Sequence, residues 1–191
     1  MRLPPAYLAA EPTEFSWVGE TQRHIGTLTH AWLARLTQQP RLPAPQAVAS
    51  ERETVRAQLK RSGVPGYELA RAAERVLAAV RQSLIDDRGR WILAAGHAEA
   101  HSEWELSGVS GGRLRSVVID RSFVDERGAR WVIDYKTSAH EGGGLEEFLD
   151  QEMERYRAQL TAYRDLARAL GPQPVHAALY FPLLGAFREL A

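Results

Sequence analysis

The sequence contains no cysteine, and this absence excludes several functional classes at once. Disulfide scaffolds, thiolate zinc sites, iron–sulfur clusters and cysteine nucleophiles all require a thiol. The sequence also shows no signal peptide and no apolar run long enough to cross a membrane, so a cytoplasmic protein with no membrane partner is expected. The formal net charge is zero, and nucleic-acid binding would therefore need a local basic patch.

Lysine is almost missing as well. Of the 24 basic residues, 22 are arginine, and the two lysines are Lys60 and Lys136. Lysine can shift its pKa and release a proton, whereas arginine cannot. A lysine in a chain that otherwise uses arginine is therefore a candidate for a chemical role. The remaining composition, with 45% hydrophobic and 25% charged residues in 191, is that of a globular chain with a substantial core.

The order of the apolar patterns predicts one domain over residues 1–191. An irregular, proline-containing leading segment or cut linker (1–20) is expected first, followed by a helical part (21–87) and then by a sheet with a long helix (98–191). The predicted helices are 21–36, which Thr21 would cap, 46–61, 66–85 and 145–170, and the predicted strands are 101–107, 113–124, 129–137, 175–183 and 186–190.

This order predicts an α/β fold with a small mixed central sheet. Its first three strands are close together in sequence and form an antiparallel meander. The strand after the long helix returns to the same sheet, and helices flank the sheet on both sides.

A short turn sets the register of the second and third strands. Residues 126–128 (ERG) suit a three-residue hairpin loop with glycine in the left-handed conformation. Asp125 then faces Ala129. In the same register Asp120 lies opposite Asp134, with Cβ atoms about 5 Å apart on one face.

Two opposed carboxylates repel each other unless a cation or a shared proton lies between them. A hard divalent ion such as Mg²⁺ or Mn²⁺ would supply that charge through oxygen ligands. Lys136 follows Asp134 by two residues and lies on the same face. A metal ion held by the two aspartates, with the amine of Lys136 beside it, suits phosphodiester hydrolysis. In that reaction the metal activates a water molecule and the amine orients it. A solvated Asp–Lys ion pair worth less than about 1 kcal/mol is the alternative interpretation of the hairpin alone.

Further motifs accompany the hairpin in the order that the PD-(D/E)xK nuclease superfamily shows. The details resemble the RecB/AddA type of nuclease domain, found at the C-terminus of helicase-nucleases, which has a restriction-endonuclease-like core. The matching residues are His30 in GTLTH, Glu103 in SEWEL, Asp120 in VID, Asp134 and Lys136 in IDYKTS, and Gln159 and Tyr163 in QLTAY.

The resemblance implies a role for each of these residues. His30, Asp120, Asp134 and the backbone carbonyl of Tyr135 would bind the metal, and Lys136 would assist the attacking water. Glu103 would belong to the same catalytic row, and Gln159 with Tyr163 would contact DNA. Without the resemblance, a structural position is the more common interpretation of His30, which borders an apolar helix stripe, and Tyr163 also continues the core stripe of its helix.

The expected function is that of an Mg²⁺-dependent deoxyribonuclease acting on single-stranded or unwound DNA in recombination and double-strand break repair. The resemblance also implies a helicase domain or subunit as partner. The chain has no GxxxxGK[ST] loop for ATP, so it is not itself a helicase and is expected to be either a module of a larger helicase chain or a stand-alone protein. Two alternatives stay open: a degenerate nuclease fold that binds DNA or docks to a helicase, and a phosphodiesterase acting on RNA. Arginines such as Arg121, Arg155, Arg157 and Arg164 are expected along the DNA path.

Overall fold

The computed structural model describes residues 13–140 and 142–191 as helices around one sheet. The helices are α1 (Thr13–Thr37), α2 (Arg52–Arg61), α3 (Leu69–Ile85), α4 (Asp87–Leu93) and α5 (Leu145–Arg168), with a 3₁₀ helix at Pro45–Glu51. The strands are β1 (Ala98–Ser110), β2 (Arg113–Val124), β3 (Arg130–Tyr135), β4 (Val175–Phe181) and β5 (Ala186–Glu189).

The five strands form one mixed sheet in the order β1-β2-β3-β4-β5. The β1–β2, β2–β3 and β4–β5 pairs are antiparallel, and β3 pairs with β4 in parallel after α5 connects them. The predicted α/β fold, with its meander and the returning strand, is confirmed.

Each face of the sheet is covered by a different set of helices. On one face Ile133 and Tyr135 of β3 pack into a core with residues of α1 to α4. On the other face Val132 packs with residues of α5 such as Leu160. Because side chains alternate along a strand, Asp134 lies on the same face as Val132 and points toward α5. The third strand therefore runs between two cores and carries one acid into the interior.

Helix α1 begins at Thr13, which corrects two predictions. The irregular leading segment was expected to reach residue 20, but no proline occurs between Pro12 and the next break, so nothing in 13–20 prevents a helix. Thr21 is therefore an internal helix residue and not a cap, and its hydroxyl donates a hydrogen bond to Glu68. Residues 1–12 of that predicted segment lie outside the described part of the chain.

Helix α4 was not expected from the sequence. The residue that marks the start of this helix is its N-cap, Asp86, whose side chain accepts a hydrogen bond from the Gly89 amide at 2.7 Å. The glycine is also required by space, because a Cβ there would lie 2.4 Å from the Ser83 carbonyl oxygen. In addition, the predicted helix 46–61 is divided into the 3₁₀ helix and α2.

Arg121 anchors the end of α4 and does not line a DNA path, which corrects that expectation. Its side chain is 2% exposed, and its guanidinium donates to the carbonyls of Ile92 and Ala94 at 3.0 Å each. These carbonyls lie at the C-terminal end of α4, where a helix leaves acceptors without intrahelical partners. Burial lowers the pKa of Arg121.

We expect Arg121→Ala to lower the free energy of unfolding by about 3 kcal/mol, because it leaves buried carbonyls without donors and creates a cavity. Urea denaturation followed by circular dichroism measures the change. Arg90→Ala, at an exposed arginine of the same helix, is the control and should change stability by less than about 0.5 kcal/mol. Equal stability of the two variants would contradict the anchoring role.

Within residues 13–140 and 142–191, no helix combines the length and the apolar character needed to span a membrane.

Candidate active site

The hairpin between β2 and β3 has the predicted register. The Asp125 amide donates to the Ala129 carbonyl at 2.9 Å, and Gly128 has a φ of 78°, which glycine adopts without strain. Arg121 pairs with Ile133, and one further step along the strands places Asp120 opposite Asp134. The turn thus brings the two acids to the same level of the sheet.

The regular pleat is interrupted at this level, which the sequence interpretation did not foresee. Arg121 of β2 contacts the α4 side of the sheet, whereas Ile119, two residues earlier, packs in the α5 core. Residues two apart on a regular strand share a face. On β1, Ser102 pairs with Arg121 and Trp104 pairs with Ile119. Glu103 lies between these two residues and has a φ of 50°. Such a conformation costs a non-glycine residue about 1–2 kcal/mol.

The interruption changes where Asp120 points. Its Oδ1 lies 3.1 Å from Nδ1 of His30 on α1, and its Oδ2 accepts a hydrogen bond from the Tyr135 amide at 2.7 Å. Asp134 instead contacts α5. The prediction that both carboxylates project from one face is wrong, because it assumed an unbroken pleat. They lie close enough for their charges to interact, with partners on opposite sides of the sheet. The region at the end of β3 around His30, Asp120, Asp134 and Lys136 is called the crevice below.

Asp134 is almost fully enclosed, with 4% exposure. Its Oδ1 accepts hydrogen bonds from Gln159 Nε2 at 2.9 Å and from the Tyr163 hydroxyl at 3.3 Å. Its Oδ2 accepts no hydrogen bond of regular geometry from the described residues, although Lys136 Nζ lies 2.6 Å away as an ion-pair partner. One carboxylate oxygen is therefore fixed by α5, and the other is paired with the ammonium of Lys136.

Lys136 is held by two groups. Besides the Asp134 carboxylate, its ammonium lies 3.5 Å from the centre of the Tyr156 ring. Tyr156 belongs to the same helix as Gln159, so α5 positions the lysine and its acidic partner together.

The charges of the crevice perturb one another. Burial lowers the pKa of His30, but its hydrogen bond to Asp120 and the charges of Asp120 and Asp134 outweigh burial, so the pKa is raised. Burial, followed by the Asp120 charge, raises the pKa of Asp134 against the opposing effect of Lys136. The raised pKa of Asp134 thus reflects mainly its burial, and that of His30 reflects the two acids beside it.

The donor chemistry of the crevice suits a hard divalent cation. Carboxylate oxygens of Asp120 and Asp134 and the imidazole of His30 are available, and the buried Oδ2 of Asp134 has no regular hydrogen bond within the described part of the chain. Among the described side chains, no three His, Asp or Glu groups converge closely enough to enclose an ion. Asp134 contacts Lys136 and Gln159 instead. Ion binding would therefore require a small movement of the Asp134 carboxylate away from Lys136.

A glycine on α1 lets this helix approach the crevice. A Cβ at Gly26 would lie 3.3 Å from Thr137 Oγ1, which is closer than most side chains tolerate. His30 follows one helical turn later, next to Asp120. In the GTLTH segment, Gly26 thus allows α1 to approach Thr137 closely, and His30 contacts Asp120.

The other predicted residues have more varied positions. Glu103 is exposed and lies across the β1–β2 pair from Asp120, and its catalytic role stays a prediction. Tyr163 is 5% exposed, and both Tyr163 and Gln159 contact Asp134. Their predicted contact with DNA is not tested by these positions. The amide of Tyr135 holds Asp120, and the metal-binding role of its carbonyl also stays a prediction.

Sequence reasoning missed two contributions of α5. Tyr156 belongs to the apolar stripe of the helix, and nothing in its spacing distinguished it from a core residue. Glu152 is buried and accepts hydrogen bonds from Ser138 at 3.1 Å and Arg155 at 3.0 Å. Because Ser138 follows Lys136 by two residues, this buried acid ties the segment after the lysine to α5.

Comparison with known proteins agrees with this geometry. No curated protein matches the chain. A solved structure described as "Crystal structure of SSO0001" aligns over 93% of this chain and 75% of its own, at 16% identity and a TM-score of 0.34. That similarity is too low to carry an argument. The family model of the PD-(D/E)XK nuclease superfamily matches residues 7–188, which is nearly the whole chain. The chain belongs to the PD-(D/E)XK nuclease superfamily.

Proposed function

We propose that this protein is an Mg²⁺-dependent deoxyribonuclease that hydrolyses phosphodiester bonds of single-stranded or unwound DNA. The observation that carries the proposal is the convergence of Asp120, Asp134 and Lys136 at the end of β3, with His30 against the first acid. A buried acid such as Asp134 beside a second, partly exposed acid costs stability unless a cation compensates it, so the arrangement favours a catalytic purpose over a structural one.

In this mechanism the side chains of the protein orient one another around the phosphate. The Tyr135 amide and His30 hold Asp120, while Gln159 and Tyr163 fix one oxygen of Asp134. A divalent cation bound by His30, Asp120, Asp134 and the Tyr135 carbonyl would polarise the phosphate and lower the pKa of water.

Lys136 acts on the attacking water and on the phosphate. Its ammonium lies beside Asp134, where it can orient the attacking water and stabilise negative charge that develops on the phosphate. The Tyr156 ring limits the positions that the ammonium can take.

The biological setting follows from the resemblance to RecB/AddA nuclease domains. We propose that a helicase domain or subunit supplies the unwound strand during recombination or double-strand break repair. The zero net charge suits such delivery, since the protein has no overall basic field with which to capture DNA.

Cleavage of end-labelled single-stranded DNA, double-stranded DNA and single-stranded RNA with Mg²⁺ or with EDTA tests the proposal. We expect Mg²⁺-dependent cleavage of single-stranded DNA, faster than that of RNA. Cleavage of RNA alone would support the RNA phosphodiesterase instead, and no cleavage of any substrate would remove the enzymatic proposal.

A second candidate is a degenerate nuclease fold that binds DNA or docks to a helicase without cleaving. The observation in its favour is that His30 and Lys136 already pair with the two acids, so the described side chains need no ion to satisfy them. Titration with Mg²⁺ by calorimetry separates the candidates, because only the enzyme requires binding that disappears in Asp120→Asn.

Tyr156 offers a test of how Lys136 is positioned. We expect Tyr156→Leu to lower kcat for single-stranded DNA about tenfold with little change in KM, because a buried cation–π contact contributes roughly 1–2 kcal/mol. Tyr156→Phe keeps the ring and should retain most of the activity. Steady-state kinetics of both variants measure the effect, and equal losses in the two would show that the ring is not the relevant group.

A further inference from the structure

A groove between α1 and α3 lies beside the crevice and has no part in the chemistry above. It encloses about 300 Å³ and is lined by Gln22 of α1 and by Tyr67, Arg71 and Arg75 at the start of α3, among others. Arginines and an exposed aromatic ring are the groups that bind phosphates and unstacked bases.

One side of α1 runs from the groove to the crevice. Gln22, Gly26 and His30 follow one another at four-residue intervals, so they lie on neighbouring turns of one helix surface. His30 contacts Asp120, Gly26 approaches Thr137, and Gln22 lines the groove. Eight helical residues span roughly 12 Å, so the groove and His30 are separated by about that distance along α1.

The groups in the groove are available to a ligand. Tyr67 is 77% exposed, although it is a large aromatic residue. Arg71 is exposed, and the buried Nε of Arg75 has no hydrogen-bond acceptor among the described residues. Glu68, an acid that lines the groove, already accepts a hydrogen bond from Thr21. The two arginines therefore give the groove a positive character within a protein of zero net charge.

We propose that this groove is a second binding subsite, which holds the nucleotides of a single strand next to the scissile phosphodiester. Tyr67 stacks on a base, and Arg71 and Arg75 pair with phosphates. A base inside a duplex has no free face for the ring, so the subsite selects unpaired strands. The inference rests on the proposed nuclease function, because the groove is useful only if the crevice acts on a strand.

Binding without cleavage tests the subsite independently of catalysis. Fluorescence anisotropy of labelled oligothymidine in EDTA compares the wild type with Tyr67→Ala, Tyr67→Phe and the double variant Arg71→Gln/Arg75→Gln. We expect Tyr67→Ala to weaken binding roughly 5- to 100-fold, as for other stacking residues, and Tyr67→Phe to restore it. The double variant should lower the slope of log K against log salt by about 1.4.

Arg81→Gln is the matched control, since Arg81 is an exposed arginine of α3 that lines a different cavity. It should bind as the wild type does. Wild-type affinity in both Tyr67→Ala and the double-arginine variant would overturn the subsite, even if the protein cleaves DNA. Absence of Mg²⁺-dependent cleavage by the wild type would instead remove the proposed function, and the anisotropy data would still decide whether the groove binds a strand.

Discussion

Replacing Asp134 by asparagine is expected to lower the rate of single-stranded DNA cleavage by at least about 10³-fold, which corresponds to roughly 4 kcal/mol of transition-state stabilisation. The amide oxygen of the new side chain could still accept hydrogen bonds from Gln159 and Tyr163, so the fold should be kept. What disappears is the negative charge that pairs with Lys136 and that would help to bind a divalent cation. Steady-state cleavage assays with Mg²⁺ measure the loss.

Asp150→Asn is the matched control for this prediction. Asp150 is an exposed acid on α5, the helix that holds Asp134, and its substitution removes the same charge. The control should cleave as the wild type does. If Asp134→Asn retained more than a tenth of wild-type activity while circular dichroism showed an intact fold, the proposed chemistry of the crevice would be wrong.

Lys136→Met is expected to lower kcat by about 10²- to 10³-fold, the usual effect of removing one group that stabilises transition-state charge. Lys136→Arg separates charge from chemistry. Arginine keeps the positive charge beside Asp134 but cannot release a proton. We therefore expect Lys136→Arg to stay at least about tenfold below the wild type.

The chain supplies its own control, because Lys60 is the other lysine of the sequence and is exposed on α2. Lys60→Arg should have wild-type kinetics. Full activity of Lys136→Arg would show that charge alone is needed there, and full activity of Lys136→Met would exclude the lysine from the mechanism.

The hairpin that carries the site could be predicted because its information is local. A glycine with positive φ and a three-residue loop determine which residues of the two strands face each other, and the observed register follows from them. The strand patterns and the long helix α5 were similarly local, since apolar periodicity reports burial directly.

The direction of the acids could not be predicted in the same way. It depends on the interrupted pleat at Glu103 and Asp120, and no residue type there demands a positive φ. It also depends on contacts between distant segments, such as His30 with Asp120 and Gln159 with Asp134. Single-sequence patterns contain no information on which side chains meet across ninety residues.

Arg121 illustrates a second limit. It was expected among the arginines along a DNA path, whereas its side chain enters the core beneath α4. The short helix that it anchors was itself not expected, because seven residues provide little periodicity. Arg121 follows Asp120 directly in the sequence, yet its observed role is to hold the end of α4.

The central claim is that the crevice binds a divalent cation through His30, Asp120 and Asp134. Anomalous diffraction from crystals of the protein soaked in Mn²⁺ tests it most directly, because the signal locates the ion without reference to activity. We predict a peak within ligand distance of these three residues, and its absence from crystals of Asp120→Asn. A peak elsewhere only, or no peak at saturating Mn²⁺, would contradict the account.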